Sequence, residues 1–197
     1  MPIFKPFMYK KNIYEIDYKK LKDMGVKCLI FDLDNTLGLI SHKECPKETK
    51  ELIKKLKKDF TIFISSNNSE VRIKPYLDEL EIEGVSFSLK PFTRSFRKIR
   101  RKKFFKREEM VMIGDQIVTD ILAGNRYKIK TILVDALGEK DLKITKLNRF
   151  IENKIVKRYQ KKGLFERGKY YEWRSKNLYW LWSKIARSKC ITRRIYN

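Results

Sequence analysis

Two carboxylates, Asp32 and Asp34, directly follow an apolar run in the stretch VKCLIFDLDNTLGLI, residues 26–40. An ordinary buried strand excludes such groups, because an unpaired buried carboxylate is costly. Side chains two residues apart point to the same side of an extended chain, so the two acids can act together. Paired carboxylates suit the binding of a divalent cation and nucleophilic or acid–base chemistry. The stretch therefore predicts a reactive site at the end of a strand.

Polar side chains also follow the later apolar runs of the chain. They are Ser66 and Asn67, then Lys90, then Asp115 with Asp120 shortly after it. In a parallel sheet, ligands bind at the carboxyl ends of the strands. One such residue is commonplace, but four such positions in this order indicate one shared site.

The elements that must position these residues alternate along the chain. Apolar and β-branched runs predict five strands, over residues 28–31, 61–65, 85–89, 110–113 and 131–134. Helical spacing predicts four helices between them, over residues 46–58, 69–80, 94–103 and 119–126. This alternation predicts a mainly parallel central sheet with helices on both faces, which is a Rossmann-like three-layer α/β sandwich.

The motifs resemble those of the haloacid dehalogenase superfamily: D-x-D-x-T, a strand-end Ser or Thr, a Lys, and a late G-D or D-D pair. More narrowly, FDLDNTL, SSNN, LKPFTRSFRK, GDQIVTDILAGNR and ITKLNRFIE are similar to its YqeG-type branch, within the HAD-IIIA group. That branch is similar to the mitochondrial phosphatidylglycerophosphate phosphatases. The resemblance covers residues 14–163 and implies a phosphatase core of that fold. The spacing from Thr36 to Ser66, and from Ser66 to Lys90, leaves no room for a cap domain.

The resemblance also implies roles for the acids. Asp32 would attack the phosphorus of a phosphate monoester and form an aspartyl-phosphate. Asp34 would protonate the leaving oxygen and later deprotonate the attacking water. Asp32, the backbone carbonyl of Asp34 and Asp115 would bind Mg²⁺, while Asp120 would hold a metal-bound water or orient the lysine. Mn²⁺ accepts the same oxygen ligands and is the alternative metal.

The other motif residues would act on the phosphate or shape its loop. By the same resemblance, Ser66 donates a hydrogen bond to a phosphoryl oxygen, and Lys90 neutralises charge in the transition state. Ser66 has a simpler interpretation as a helix cap, and the neighbouring Ser65 leaves the register open by one residue. Asn67 either contacts the substrate or turns the chain. Thr36 fixes the loop that carries the two acids.

The composition is that of a globular protein with anionic partners. The chain has 197 residues, 42% of them hydrophobic, and a formal net charge of +23. We expect a phosphatase core over residues 1–150 and a basic, aromatic, helical tail over residues 151–197. No run of about 18 apolar residues occurs, and the first residues lack the apolar core of a signal peptide. We therefore expect a cytoplasmic protein. The alternative is a protein attached peripherally to the inner face of the membrane.

The sequence of the tail, residues 151–197, is compatible with more than one binding partner. From residue 153 onward it carries fourteen Lys or Arg residues, and it holds Trp173, Trp180 and Trp182. From residue 177 on, apolar side chains recur at helical spacing, which predicts an amphipathic helix. Such a helix could lie in an anionic membrane interface, bind nucleic acid by stacking between cations, or dock on its own core.

An uncapped site is open to substrates that are too large to enclose, such as proteins, nucleic acids or lipid head groups. The favoured interpretation is a Mg²⁺-dependent phosphomonoester hydrolase that acts on phosphatidylglycerophosphate at a membrane surface. One alternative keeps this chemistry on a phosphoprotein or a nucleic-acid end. The other is an RNA-associated binding protein with a vestigial site.

Overall fold

The fold is built on one six-stranded sheet in which all strand pairs are parallel. The computed structural model describes residues 2–42, 44–138 and 143–172. The strands are β1 (Met8–Lys10), β2 (Cys28–Phe31), β3 (Thr61–Ser65), β4 (Glu83–Val85), β5 (Met110–Gly114) and β6 (Lys130–Val134). Their order across the sheet is β1-β6-β5-β2-β3-β4. The predicted α/β class with a parallel central sheet is confirmed.

Helices pack on both faces of this sheet. They are α1 (Tyr18–Asp23), α2 (Lys47–Leu56), α3 (Glu70–Leu80), α4 (Arg94–Lys103), α5 (Leu122–Tyr127) and α6 (Lys143–Lys161). A π-helical turn, Ile117–Ile121, leads directly into α5. Between β2 and β3 the described residues form a loop and α2, and between β3 and β5 they form α3, β4, α4 and short connections. No cap domain interrupts this described part of the chain.

Alternation along the central strands produces the two core layers. Leu29 and Phe31 of β2 pack in one cluster with apolar side chains of α1, α2 and α3. Ile30, between them, packs in the other cluster with Phe96 of α4 and Tyr127 of α5. Both clusters are buried, as expected for a sheet that is covered on both faces.

The predicted strand over residues 85–89 is wrong, because β4 ends at Val85. Its apolar residues alternate with polar ones, which is the period of a strand. However, Phe87 and Leu89 have φ angles of 44° and 53°, in the left-handed region that a strand does not use. Residues 86–93 therefore form a loop, here called the Lys90 loop, between β4 and α4.

The predicted domain boundary at residue 150 falls inside α6. Beyond it, Val156 and Phe165 are buried in a cluster with Tyr9 of β1 and Leu133 of β6. Residues 151–172 thus pack against the sheet. Residues 173–197, with the predicted amphipathic helix and the three tryptophans, lie outside the described residues. Within the part that the structure describes, no helix combines the length and apolar content needed to cross a bilayer.

Candidate active site

The predicted site residues converge at the carboxyl edge of the three central strands. Phe31 of β2 stands in register with Ile64 of β3 on one side and Ile113 of β5 on the other. The next residue, Asp32, donates its backbone N–H to the carbonyl of Ile113 over 2.8 Å. Ser66 follows β3 directly. Because the strands are parallel and adjacent, their polar continuations emerge side by side.

Lys90 reaches this edge from its loop and links two of the acids. Its Nζ lies 2.5 Å from Asp32 Oδ1 and 2.7 Å from Asp120 Oδ1. It also donates to the carbonyl of Ser65 over 2.7 Å. The lysine is only 5% exposed, so its charge acts with little screening by water. The structure therefore brings Lys90 to the carboxylates, although the residue does not end a strand.

Asn67 fixes the backbone of Lys90. Its Nδ2 donates to the Lys90 carbonyl over 3.1 Å, and its Oδ1 accepts the Lys90 backbone N–H over 2.7 Å. Both polar atoms of the amide are thus bound to the loop. This arrangement indicates that Asn67 positions the lysine, which is neither of its two predicted roles, contact with the substrate or a turn of the chain.

Three buried acids form the cluster that is suited to a metal. Asp32, Asp115 and Asp120 each offer a carboxylate oxygen, and these oxygens lie within 4.8 Å of one another. Asp115 Oδ1 is buried and has no hydrogen-bond partner among the described residues. A buried carboxylate oxygen without a donor calls for a cation, and hard divalent cations prefer oxygen ligands. The residues present therefore fit a divalent metal ion.

The electrostatics of the cluster support this assignment. Burial raises the pKa of Asp32 to about 7, with a further rise from the charge of Asp120 and an opposing effect of Lys90. Burial also raises the pKa of Asp115 well above its usual range, against the lowering effect of Arg149. Burial alone would lower the pKa of Lys90, but the carboxylates of Asp120 and Asp32 raise it above the ordinary value. Ionisation of Asp32 and Asp115 is therefore disfavoured without a further cation, and a bound divalent ion would favour their ionised forms.

Gly114 makes room for Asp120. A Cβ atom at Gly114 would lie 2.4 Å from Asp120 Cγ and 2.7 Å from Asp120 Cβ, which is too close for any real contact. Asp120 Oδ2 accepts the backbone N–H of Gln116 over 3.1 Å, so the carboxylate is held over the glycine. The G-D pair of the motif therefore has a steric basis: the glycine admits the second acid of the segment.

Asp34 is oriented by two side chains from the β3–α3 region. Arg72 donates to Asp34 Oδ1 from Nε over 3.1 Å and from Nη2 over 2.7 Å, while Asn68 Nδ2 donates to Asp34 Oδ2 over 2.5 Å. Arg72 also donates to the carbonyls of Leu39 and His42. Among the described residues, the cluster that could hold a metal ion consists of Asp32, Asp115 and Asp120 and does not include the Asp34 carboxylate.

A second ionic network supports Asp115 from α6. Arg149 Nη2 pairs with Asp115 Oδ2, and its Nη1 donates to the Asp115 carbonyl over 3.1 Å. Glu152, which is fully buried, pairs with Arg149 over 3.1 Å and with Arg167 over 3.0 Å. Its other oxygen accepts the backbone N–H of Ile117, at the start of the π-helical turn. This network joins α6 to the segment that carries Asp115 and Asp120.

Ser66 and Thr36 complete the predicted set. Ser66 Oγ accepts the backbone N–H of Asn68 over 3.1 Å, and α3 is preceded by Ser69, so Ser66 is not the cap of that helix. Ser65 instead turns toward α4, where its Oγ donates to Ser95 Oγ over 3.2 Å, and this arrangement favours Ser66 as the motif residue. Thr36 is buried, and its backbone N–H donates to the Leu33 carbonyl over 3.3 Å. This contact stabilises the turn after β2.

Sequence reasoning missed Arg72, Arg149 and Glu152. Each lies on a helix with many other charged residues, where a charge usually indicates a solvated face. For Arg149 and Glu152 the one signal is the segment ITKLNRFIE, whose family resemblance assigns a role to neither residue. For Arg72 no local signal existed, because its partner stands 38 positions away.

Comparisons with known proteins agree with this geometry. A family profile described as haloacid dehalogenase-like hydrolase matches residues 29–90, and one described as HAD-hydrolase-like matches residues 89–149. The chain is 37% identical over 161 residues to the probable phosphatase YqeG of Bacillus subtilis, covering 81% of this chain and 94% of that protein. It is 26% identical to phosphatidylglycerophosphate phosphatase 1, chloroplastic/mitochondrial, of Arabidopsis thaliana, and spans 49% of that protein's length.

Among solved structures, a protein from Listeria monocytogenes serotype 4b superposes with a TM-score of 0.48 and 23% identity, over 59% of this chain and 85% of that one. A protein from Porphyromonas gingivalis described as a predicted HAD-like family hydrolase gives a TM-score of 0.47 and 13% identity, over 64% and 98%. The profile matches and the YqeG relationship are decisive. The chain belongs to the haloacid dehalogenase-like hydrolases, as a phosphatase of the YqeG type.

Proposed function

We propose that the protein is a Mg²⁺-dependent phosphomonoester hydrolase that works through Asp32 and acts on phosphatidylglycerophosphate at a membrane surface. The observation that carries the chemistry is the buried contact of Lys90 with Asp32 and Asp120, beside Asp115. Asp32, Asp115 and the backbone carbonyl of Asp34 would hold the ion. Bound there, Mg²⁺ would neutralise the charge that separates a carboxylate from a phosphate anion.

The chain's own residues would then carry the two displacements. An oxygen of Asp32 attacks phosphorus, the phosphorus–ester oxygen bond breaks, and the ester oxygen takes a proton from Asp34. Water next attacks the aspartyl-phosphate, Asp34 accepts the water proton, and inorganic phosphate leaves with Asp32 restored. Ser66 would donate a hydrogen bond to a phosphoryl oxygen, and the positive charge of Lys90 would neutralise charge that develops on the phosphoryl group during transfer.

Arg72 gives Asp34 a fixed direction for this proton transfer. The guanidinium donates two charge-assisted hydrogen bonds, from Nε and Nη2, to one oxygen of the Asp34 carboxylate, and this arrangement is rigid. Asn68 holds the other oxygen. Both oxygens thus accept hydrogen bonds, which suits the carboxylate form that accepts the water proton in the second displacement. Few accessible orientations make this transfer more efficient, because less motion must be frozen in the transition state.

The substrate class is supported by two independent features. A relative that shares 26% identity with this chain is named for phosphatidylglycerophosphate. In addition, no cap domain covers the site within the described residues, so a head group that projects from a bilayer can reach Asp32.

Phosphate release by the purified full chain tests the proposal. Phosphatidylglycerophosphate in mixed micelles is compared with an aryl phosphate, each with Mg²⁺, with Mn²⁺ and with chelator. We expect metal-dependent turnover that prefers the lipid and is abolished in Asp32→Asn. Turnover of the aryl phosphate alone would support the phosphatase activity and contradict the lipid substrate. Phosphoproteins and nucleic-acid ends would then be the substrates to test. Metal-dependent activity that survives in Asp32→Asn would reject the nucleophile.

A further inference from the structure

The Lys90 loop has two sides with opposite character. Ser88 and Lys90 are 2% and 5% exposed, whereas Phe87, Leu89 and Phe92 are 61%, 55% and 67% exposed. The polar side chains therefore point into the protein and the large apolar ones point out. This is the reverse of the usual arrangement, in which burial removes apolar surface from water.

The inward side ties the loop firmly to the site. Ser88 Oγ bonds Ser65 Oγ over 3.2 Å and also donates to the Ser66 carbonyl. The Phe87 backbone N–H donates to the Asn68 carbonyl over 2.9 Å, and that of Phe92 donates to the Leu89 carbonyl over 2.8 Å. Phe87 and Leu89 occupy the left-handed φ region, which is costly for residues with a Cβ. The surrounding hydrogen bonds thus hold the outward side chains in place.

The exposed apolar side chains border a helix of one charge sign. Helix α4 begins two residues after Phe92 and has seven Lys or Arg residues and no acid in its ten positions. Arg94, Arg97 and Lys98, in its first half, are exposed. An apolar patch next to a cationic rim is the pattern of surfaces that rest in an anionic lipid interface.

We infer that the Lys90 loop is a membrane-docking element. Phe87, Leu89 and Phe92 enter the interface of an anionic bilayer, and the cations of α4 contact its head groups. The same docking would bring the carboxyl edge of the central strands, where Lys90 contacts Asp32, close to the lipid surface. This inference deepens the proposed function, since it assigns the surface that would bring the site to a lipid substrate.

Vesicle binding of the full chain tests the inference. The probes are vesicles of mixed phosphatidylglycerol and phosphatidylcholine, and vesicles of phosphatidylcholine alone. The test variant is the triple substitution Phe87→Ser, Leu89→Ser and Phe92→Ser, with Phe92→Ser alone as a milder form that keeps the loop's other contacts. Phe104→Ser is the matched control, because Phe104 is 91% exposed at the far end of α4.

We expect the triple variant to bind mixed vesicles at least about tenfold more weakly than the native chain, which corresponds to about 1.4 kcal/mol. Phe92→Ser should lose a part of this affinity, and Phe104→Ser should retain it. The double substitution Arg97→Glu and Lys98→Glu should abolish the preference for mixed vesicles over phosphatidylcholine. The ratio of lipid-ester to aryl-phosphate turnover should fall in the triple variant, whereas a damaged loop would lower both rates together.

Three results would overturn the inference. One is native-like vesicle binding by both the Phe92→Ser and the triple variant. Another is loss of binding to an RNA oligomer while vesicle binding stays, which would assign the surface to nucleic acid. The third is a lower unfolding temperature of the triple variant with unchanged vesicle binding, which would assign the three side chains to the stability of the chain and not to a lipid surface.

The lipid-docking inference and the proposed substrate can fail separately. If the native chain does not hydrolyse phosphatidylglycerophosphate, yet its vesicle binding depends on the three apolar side chains, the substrate is wrong and the docking element stands. If the lipid is hydrolysed equally well by the triple variant and by Phe104→Ser, the substrate stands and the docking element is wrong.

Discussion

Replacing Lys90 with methionine tests the charge balance of the site directly. Methionine keeps an unbranched apolar stem of similar length and removes the cation that Asp32 and Asp120 share at 2.5 Å and 2.7 Å. The carbonyl of Ser65 also loses its donor. The variant therefore leaves buried carboxylates facing each other without their cation, while most of the packing is retained.

The expected loss follows from burial. Lys90 is 5% exposed and Asp120 is fully buried, and breaking a buried pair by removing one partner typically costs about 3–5 kcal/mol. For a chain of this size that corresponds to a fall in the unfolding temperature of roughly 6–20 °C. These values apply to the protein without a divalent cation, because a bound ion would replace part of the missing positive charge.

The loss should depend on pH with a defined sign. In the native chain the pKa of Asp32 is raised to about 7, above the value of about 3.9 expected in the unfolded state. A raised carboxyl pKa means that ionisation disfavours folding, so this stability contribution is complete below about pH 4 and is lost as the pH rises through about 7. Because Lys90 lowers the pKa of Asp32, its removal extends that loss. The deficit of the variant should be small at acid pH and largest above neutrality.

Urea unfolding in chelator, repeated across this pH range and then with Mg²⁺, measures the effect. Lys54→Met, at an exposed position of α2, is the control for removing a lysine. The double variant Lys90→Met with Asp120→Asn should regain part of the stability, because it removes one of the stranded charges. A deficit below about 1 kcal/mol at alkaline pH, in the range of exposed ion pairs, would refute the reasoning. So would a deficit that does not change with pH.

The remaining predictions concern other parts of the site. Gly114→Ala should displace Asp120, lower stability by about 1–3 kcal/mol and weaken Mg²⁺ activation, as a metal titration of activity and an unfolding curve would show. Arg72→Met should lower kcat about 10- to 100-fold with the Mg²⁺ dependence unchanged, because it misorients Asp34 and leaves the acid cluster intact; an unchanged kcat would contradict this. Removal of the divalent metal should lower the unfolding temperature, and the decrease should be larger at about pH 8 than at about pH 5, because Asp32 is ionised at the higher pH and binds the cation more strongly. An equal decrease at both pH values would argue against binding at this carboxylate.

The central strands could be predicted from the sequence because their signals are local. The predicted bounds of β2, β3, β5 and β6 agree with the structure to within one residue. Each is a short, mainly apolar run that is followed by a polar residue, and each is buried on both faces, as is usual for such runs. The polar residues just beyond β2, β3 and β5 therefore also meet where expected.

The parts that escaped prediction depend on distant partners. Strand β1 has three residues and exists because Met8, Tyr9 and Lys10 pair with β6 more than a hundred residues later. Arg72 and Glu152 have the appearance of surface charges until the fold places a carboxylate or a backbone N–H beside them. No window of neighbouring residues contains that information, because the energy of each contact comes from burial that only the complete fold creates.

In residues 85–89, which were wrongly predicted as a strand, apolar and polar residues do alternate, but the alternation has a different cause from that in a strand. In a strand, alternation separates a core face from a solvent face, and the apolar side chains take the core. Here the hydroxyl of Ser88 and the amine of Lys90 have buried partners at the site, so the polar side chains take the inside. Because Ser88 and Lys90 occupy the inner side of the loop, the alternating apolar side chains of Phe87 and Leu89 are exposed to water. Covering such a surface lowers the free energy of the protein, and the proposed lipid interface would do so beside the carboxylate that would attack the phosphate.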